Sequence, residues 1–213
     1  MTALEQSIEN LYEAFAEVPK PDSVGGCECC IDEKELVALL AAPLRILSPE
    51  ALSNYAASAL LTVGSIPDYL YFLPRILEIS AKEDNWWPAI QITARAISQT
   101  ELTQWSPVQQ AALKKLLSAV IDWAIELSDD SKLDAWLCAA ARMSFPLRPF
   151  LAQVAKSEPM ILSYFERNAS CLARNKLGNS FWELPNEGHD EIVQWFKADP
   201  VRQLLYDTYG YVS

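Results

Sequence analysis

The chain has 213 residues, 51% of them hydrophobic and 21% charged, with a net charge of −11. That is enough apolar content to fold around a core without staples, and it excludes disorder over any long stretch. Lys and Arg form no stripe that would neutralise phosphates or an anionic bilayer, so nucleic acid and membrane surfaces are not expected partners. Six glycines are too few for a fold built on tight hairpins.

In chain order, Leu4, Ile8, Leu11, Tyr12, Phe15 and Val18 share one face over residues 2–18, with Glu5, Glu9, Glu13 and Glu17 off it. That is the period of an amphipathic helix. Pro19, Pro21, Gly25 and Gly26 then break the chain. Asp32 and Glu35 have capping-box spacing and open a short helix ending by Pro43. Ser48-Pro49-Glu50 starts the next, which Gly64 is placed to stop. Residues 67–80 read as helical, with Pro74 expected to kink or divide them.

Further helices are predicted over 86–98, from Ser106-Pro107 to about Leu127, and from a cap at Asp130 or Ser131 to about Met143. A shorter one starts at Pro146, and Glu158-Pro159 opens another reaching about Ala173. Asn179 to Gly188 reads as irregular but pinned by Phe181 and Trp182, before two last helices over 189–197 and 200–209. No segment alternates with period two over a strand's length. The prediction is a single all-α domain over residues 1–213.

Its architecture has two readings. Leu52, Tyr55 and Ala59 recur in spacing as Leu133, Trp136 and Ala140, and Leu73-Pro74-Arg75-Ile76-Leu77 resembles Leu147-Arg148-Pro149-Phe150-Leu151. Such echoes suit stacked helical hairpins, a HEAT- or armadillo-like α-α superhelix. The alternative is an irregular multi-helix bundle, in which the same spacing is simply that of a buried helix face.

One local sequence carries chemistry: Gly25-Gly26-Cys27-Glu28-Cys29-Cys30-Ile31-Asp32. Three thiols in four residues sit in a turn that leads into a helix. They suit zinc as thiolates, redox work through the Cys27/Cys30 pair, or packing at a helix entrance. For metal, adjacent cysteines are not expected to point one way. A further ligand is therefore sought at a distance: Cys138 first, since a buried thiol gains most from a metal partner, then His189, with Cys171 and water behind. Cys138 and Cys171 otherwise read as core residues on helices, and His189, the sole histidine, as a surface or cap residue. No phosphate loop, dinucleotide fingerprint or nucleophile elbow occurs.

Five cysteines with no paired framework, and an acidic N-terminal helix where a secretory leader would be basic and apolar, predict a cytoplasmic protein. With those residues in hand, the chain resembles a family of helical bacterial proteins that has no established activity. Its marks are the Cys-x-Cys-Cys turn, the segment from Leu47 to Ala56, Tyr71-Phe72-Leu73-Pro74-Arg75-Ile76-Leu77-Glu78, Trp136 to Ala140, and Val193 to Arg202. The resemblance implies no catalytic residues. Two functional expectations remain. One is a non-enzymatic, protein-binding helical scaffold or adaptor, and the other a thiol-dependent protein using Cys27, Cys29 and Cys30 for zinc or redox chemistry.

Overall fold

The computed structural model describes residues 1–27 and 29–210. Eleven α-helices run through them, and the only β pairing among the described residues is a pair of isolated bridges. The all-α expectation therefore holds. No described helix is long and apolar enough to cross a membrane. Contacts divide the chain into two compact units, Met1–Leu116 and Leu117–Ser213, the division falling inside one helix.

The first unit contains α1 (Ala3–Ala14), α2 (Glu33–Ala41), α3 (Pro49–Ser58), α4 (Ile66–Lys82), α5 (Ile90–Ser98) and the first half of α6 (Pro107–Glu126). The starts are those the caps dictate. Asp32 and Glu35 exchange side-chain and backbone bonds ahead of α2, Ser48 accepts from Ala51 N–H at α3, and Ser106 and Gln109 close a reciprocal cap at α6. α4 packs on α1, α3 and α5, and α3 also meets α2 and α5. Pro74 does not divide α4. Loss of one N–H costs a helix about 3 kcal/mol. Tyr69, Phe72, Leu73, Ile76 and Leu77, all fully buried on either side of it, offset that cost.

One carboxylate ties α1 to α4. Glu78 on α4 accepts from Tyr12 Oη (2.7 Å), Arg75 (2.7 Å) and Lys82 (3.0 Å). Burial alone would push its carboxyl up, but these three donors outweigh that and hold it below the usual carboxylate range.

The second unit contains the rest of α6, then α7 (Asp130–Arg142), α8 (Arg148–Val154), α9 (Glu158–Leu172), α10 (Glu187–Lys197) and α11 (Asp199–Tyr209). α7 packs on α9 and α10, α10 also on α8 and α11, and α11 on α9. α10 comes close to α7 because Gly188 has no side chain. A Cβ there would lie 2.5 Å from Ala141 Cβ and 3.1 Å from Leu147 Cδ1.

These contacts fit the irregular multi-helix bundle. The sequence echo has a simple origin in burial: Leu52, Tyr55 and Ala59 form the buried face of α3 and its exit, and Leu133, Trp136 and Ala140 the buried face of α7. The second echo joins unlike places. Pro74 lies inside α4, whereas Pro149 sits in the first turn of α8.

Candidate metal centre

The cysteine turn is built from its flanks inward. After α3 the chain reverses tightly over residues 59–64, where Leu60 N–H donates to Val63 C=O (2.9 Å). Residues 25–27 lie antiparallel against that reversal: Gly64 N–H donates to Gly25 C=O (2.7 Å) and Cys27 N–H to Thr62 C=O (2.9 Å). Gly26 makes the approach possible, since a Cβ there would stand 3.0–3.1 Å from the Val63 side chain and Cα. Val24, Ile31 and Val63 are all buried, anchoring the frame from beneath.

Between those anchors the chain folds back on itself. Cys30 N–H donates to Cys27 C=O (2.9 Å) and Ile31 N–H to the same oxygen (3.3 Å), after which Asp32 caps α2. The three thiols are thereby gathered. The Sγ atoms of Cys27, Cys29 and Cys30 all lie within 4.8 Å of one another, with Cys29 and Cys30 at 3.7 Å. The expectation that neighbouring cysteines must diverge is corrected here, because the fold-back bonds onto Cys27 C=O bend the turn until all three sulfurs share one side.

The spacing has chemical content. Tetrahedral Zn–S bonds of about 2.3 Å put sulfurs about 3.8 Å apart, so the Cys29–Cys30 separation of 3.7 Å needs no adjustment and the others, within 4.8 Å, need to close by at most about 1 Å. Cys27 and Cys29 are exposed and Cys30 half-buried, so an ion can enter directly from solvent. Hydrogen bonds from the Cys29 thiol, and then from its backbone N–H, hold the Cys27 thiol below its ordinary value. The reciprocal interaction pushes Cys29 up to about 11. Cys27 therefore gives up its proton more readily than Cys29.

The other sequence candidates lie in the second unit. Cys138 is buried on α7, one turn after Asp134 and one before Arg142, and burial pushes its thiol up to about 12. Cys171 is half-buried on α9, its sulfur 3.8 Å from Ser170 Oγ and 3.9 Å from an Arg174 nitrogen. His189 is a core residue rather than a surface one. It is buried in the first turn of α10, with Nδ1 3.0 Å from Asp190 Oδ1 and its ring edge-on to Trp182. Among the described residues, Cys27, Cys29 and Cys30 are the one group of three or more Cys, His, Asp or Glu whose ligand atoms converge.

No family model, curated protein or solved structure matches the chain. The functional reading therefore rests on geometry.

Sequence reasoning missed a buried polar centre in the second unit. Asp134, 2% exposed, accepts from Tyr164 Oη (2.9 Å), Trp182 Nε1 (3.1 Å) and Asn179 Nδ2 (2.7 Å). It pins the irregular segment after α9 to α7. The signal was an aspartate adjoining the buried face of a helix, between Leu133 and Trp136. A charged residue there needs several donors to satisfy it.

Proposed function

We propose that the protein is a helical scaffold whose cysteine turn holds zinc, with Cys27, Cys29 and Cys30 bound as thiolates. The observation that carries this reading is the convergence of the three sulfurs within 4.8 Å on a turn braced at both ends. Zinc suits the set because it takes soft thiolates in tetrahedral geometry and needs no redox partner. Three thiolates leave one tetrahedral position. Water or a thiol from solution is the ligand expected there. Closed structural zinc sites use four protein ligands, so a site with three exposed or half-exposed cysteines suits an exchangeable ion.

The test is elemental analysis of protein purified without chelator, together with native thiol titration before and after chelation. About one zinc per chain, with two or three thiols becoming reactive only on chelation, is the expected result. Cys27→Ser should lower zinc affinity at least tenfold. Metal-free protein that stays metal-free in excess zinc would overturn the reading. A reversible Cys27–Cys30 disulfide in that protein would put thiol redox chemistry in its place.

A further inference from the structure

A second site, independent of the cysteine turn, lies in the second unit between α8 and α10. It is a groove of about 700 Å³. α8 lines it with Arg148, Leu151, Ala152 and Ala155, a single stripe at i, i+3, i+4 and i+7. α10 lines it with a stripe of its own running from Glu187 through Asp190, Glu191, Gln194 and Trp195 to Ala198 just past its end.

The two stripes divide the groove by chemistry. Ala152, Ala155 and Ala198 are exposed small residues, so the floor is low, and Leu151 and the half-buried Trp195 supply its apolar body. At the other end three exposed carboxylates, Glu187, Asp190 and Glu191, face a single cation, Arg148. Glu191 already accepts from Leu147 N–H (2.7 Å) and Asp190 lies against His189, which leaves Glu187 as the freest charge. Eleven helical rises separate Glu187 from Ala198, a run of about 16 Å. Three turns of a second helix match that length.

We infer that this groove docks an amphipathic, basic helix of a partner protein, its apolar face on Leu151 and Trp195 and its Lys or Arg side chains toward Glu187 and its neighbours. Charge complementarity selects this occupant. An acidic rim on a chain of net charge −11 repels acidic segments and anionic bilayers and steers a basic partner inward. A half-buried tryptophan beside a low alanine floor, ringed by polar groups, has the make-up of an interface hot spot. Apolar anchors at i, i+4 and i+7 of the incoming helix meet the stripe the same way that helix-in-groove complexes do.

The probe is a synthetic three- to four-turn Leu/Lys amphipathic helix. Its controls are a scrambled peptide of the same composition and a Leu/Glu helix, titrated against the full-length protein by fluorescence anisotropy. Saturable 1:1 binding of the Leu/Lys helix is expected, at least tenfold tighter than either control and weakening with salt. Ala152→Trp, which fills the floor from an exposed position, and Trp195→Ala should each weaken binding at least tenfold. Glu187→Gln should flatten the salt dependence with a smaller loss of affinity. Circular dichroism of each variant confirms the helical fold, and Ala152→Trp, being a surface change, serves where Trp195→Ala disturbs it. No binding, binding unchanged by the Ala152→Trp floor variant, or equal affinity for the acidic helix would each overturn the inference. So would preferential binding to neutral phosphatidylcholine vesicles, which would make the groove a lipid site.

Discussion

The buried carboxylate of Asp134 offers the sharpest test of how the second unit is held together. Replacing it with alanine removes three hydrogen bonds at once. Tyr164, fully buried, and Trp182, 6% exposed, then keep donors with no acceptor, while the half-exposed Asn179 can turn to water. An unpaired buried donor costs about 1–3 kcal/mol, so the two together cost about 2–6 kcal/mol. Relief from burying the carboxylate offsets part of this, and a net loss of about 3 kcal/mol is expected.

Asparagine in the same place separates the contributions. Its oxygen can still accept from Tyr164 and Trp182, but its amide then faces the amide of Asn179, so one bond is lost, at about 1–2 kcal/mol. Urea unfolding followed by far-ultraviolet circular dichroism measures both variants. Limited proteolysis should show faster cleavage between residues 173 and 186 in Asp134→Ala, because Asn179 and Trp182 anchor that segment to α7. An Asp134→Ala variant within 1 kcal/mol of the parent, or an asparagine variant less stable than the alanine one, would refute the reasoning.

Two further outcomes are expected. Glu78 is held below its ordinary carboxylate value in the folded state, so its contribution is fully present above about pH 4.3 and is lost as pH falls through the depressed folded value. Glu78→Gln should therefore cost about 1–2 kcal/mol at neutral pH, and its urea midpoint should converge with the parent's in acid. Gly188→Ala places a methyl 2.5 Å from Ala141 Cβ, and overpacking of this kind costs about 1–3 kcal/mol. A melting temperature unchanged by that substitution would mean that α10 can slide off α7 freely.

Much of this fold was legible because helix starts are local chemistry. Asp32 with Glu35, Ser48 before Pro49, and Ser106 with Gln109 are cap-forming groups within four residues of each other, and a sequence shows them whole. Asp129, one residue ahead of the expected cap, shows the ordinary error of such a reading. Pro74 shows its limit, since the cost of the missing N–H is local but the packing that offsets it comes from α1, α3 and α5. The groove was unreadable for the same reason. The sequence places Trp195 on a helix, but only the fold brings α8 alongside α10 and leaves alanines beneath it.

The cysteine turn lies between these cases. Its residue types were plain, and its convergence was not, because that depends on three backbone bonds, one reaching across to Thr62 and two returning to Cys27. Those bonds also decide what metal binding does to the molecule. A ligand that binds only the folded form stabilises it by about 2.7 kcal/mol at a hundred times its dissociation constant. Zinc bound as proposed by Cys27, Cys29 and Cys30 would close a loop of only four residues, so little of that gain would come from restricting the unfolded chain. The gain would fall instead on the frame that must already be in place for the sulfurs to meet. That frame consists of the pairing of residues 25–27 with 62–64 and the capped start of α2. On the proposed reading, the part of the first unit that would gain from zinc is therefore the approach of α2 to the exit of α3. The Tyr12–Glu78 tie between α1 and α4 stands on bonds of its own.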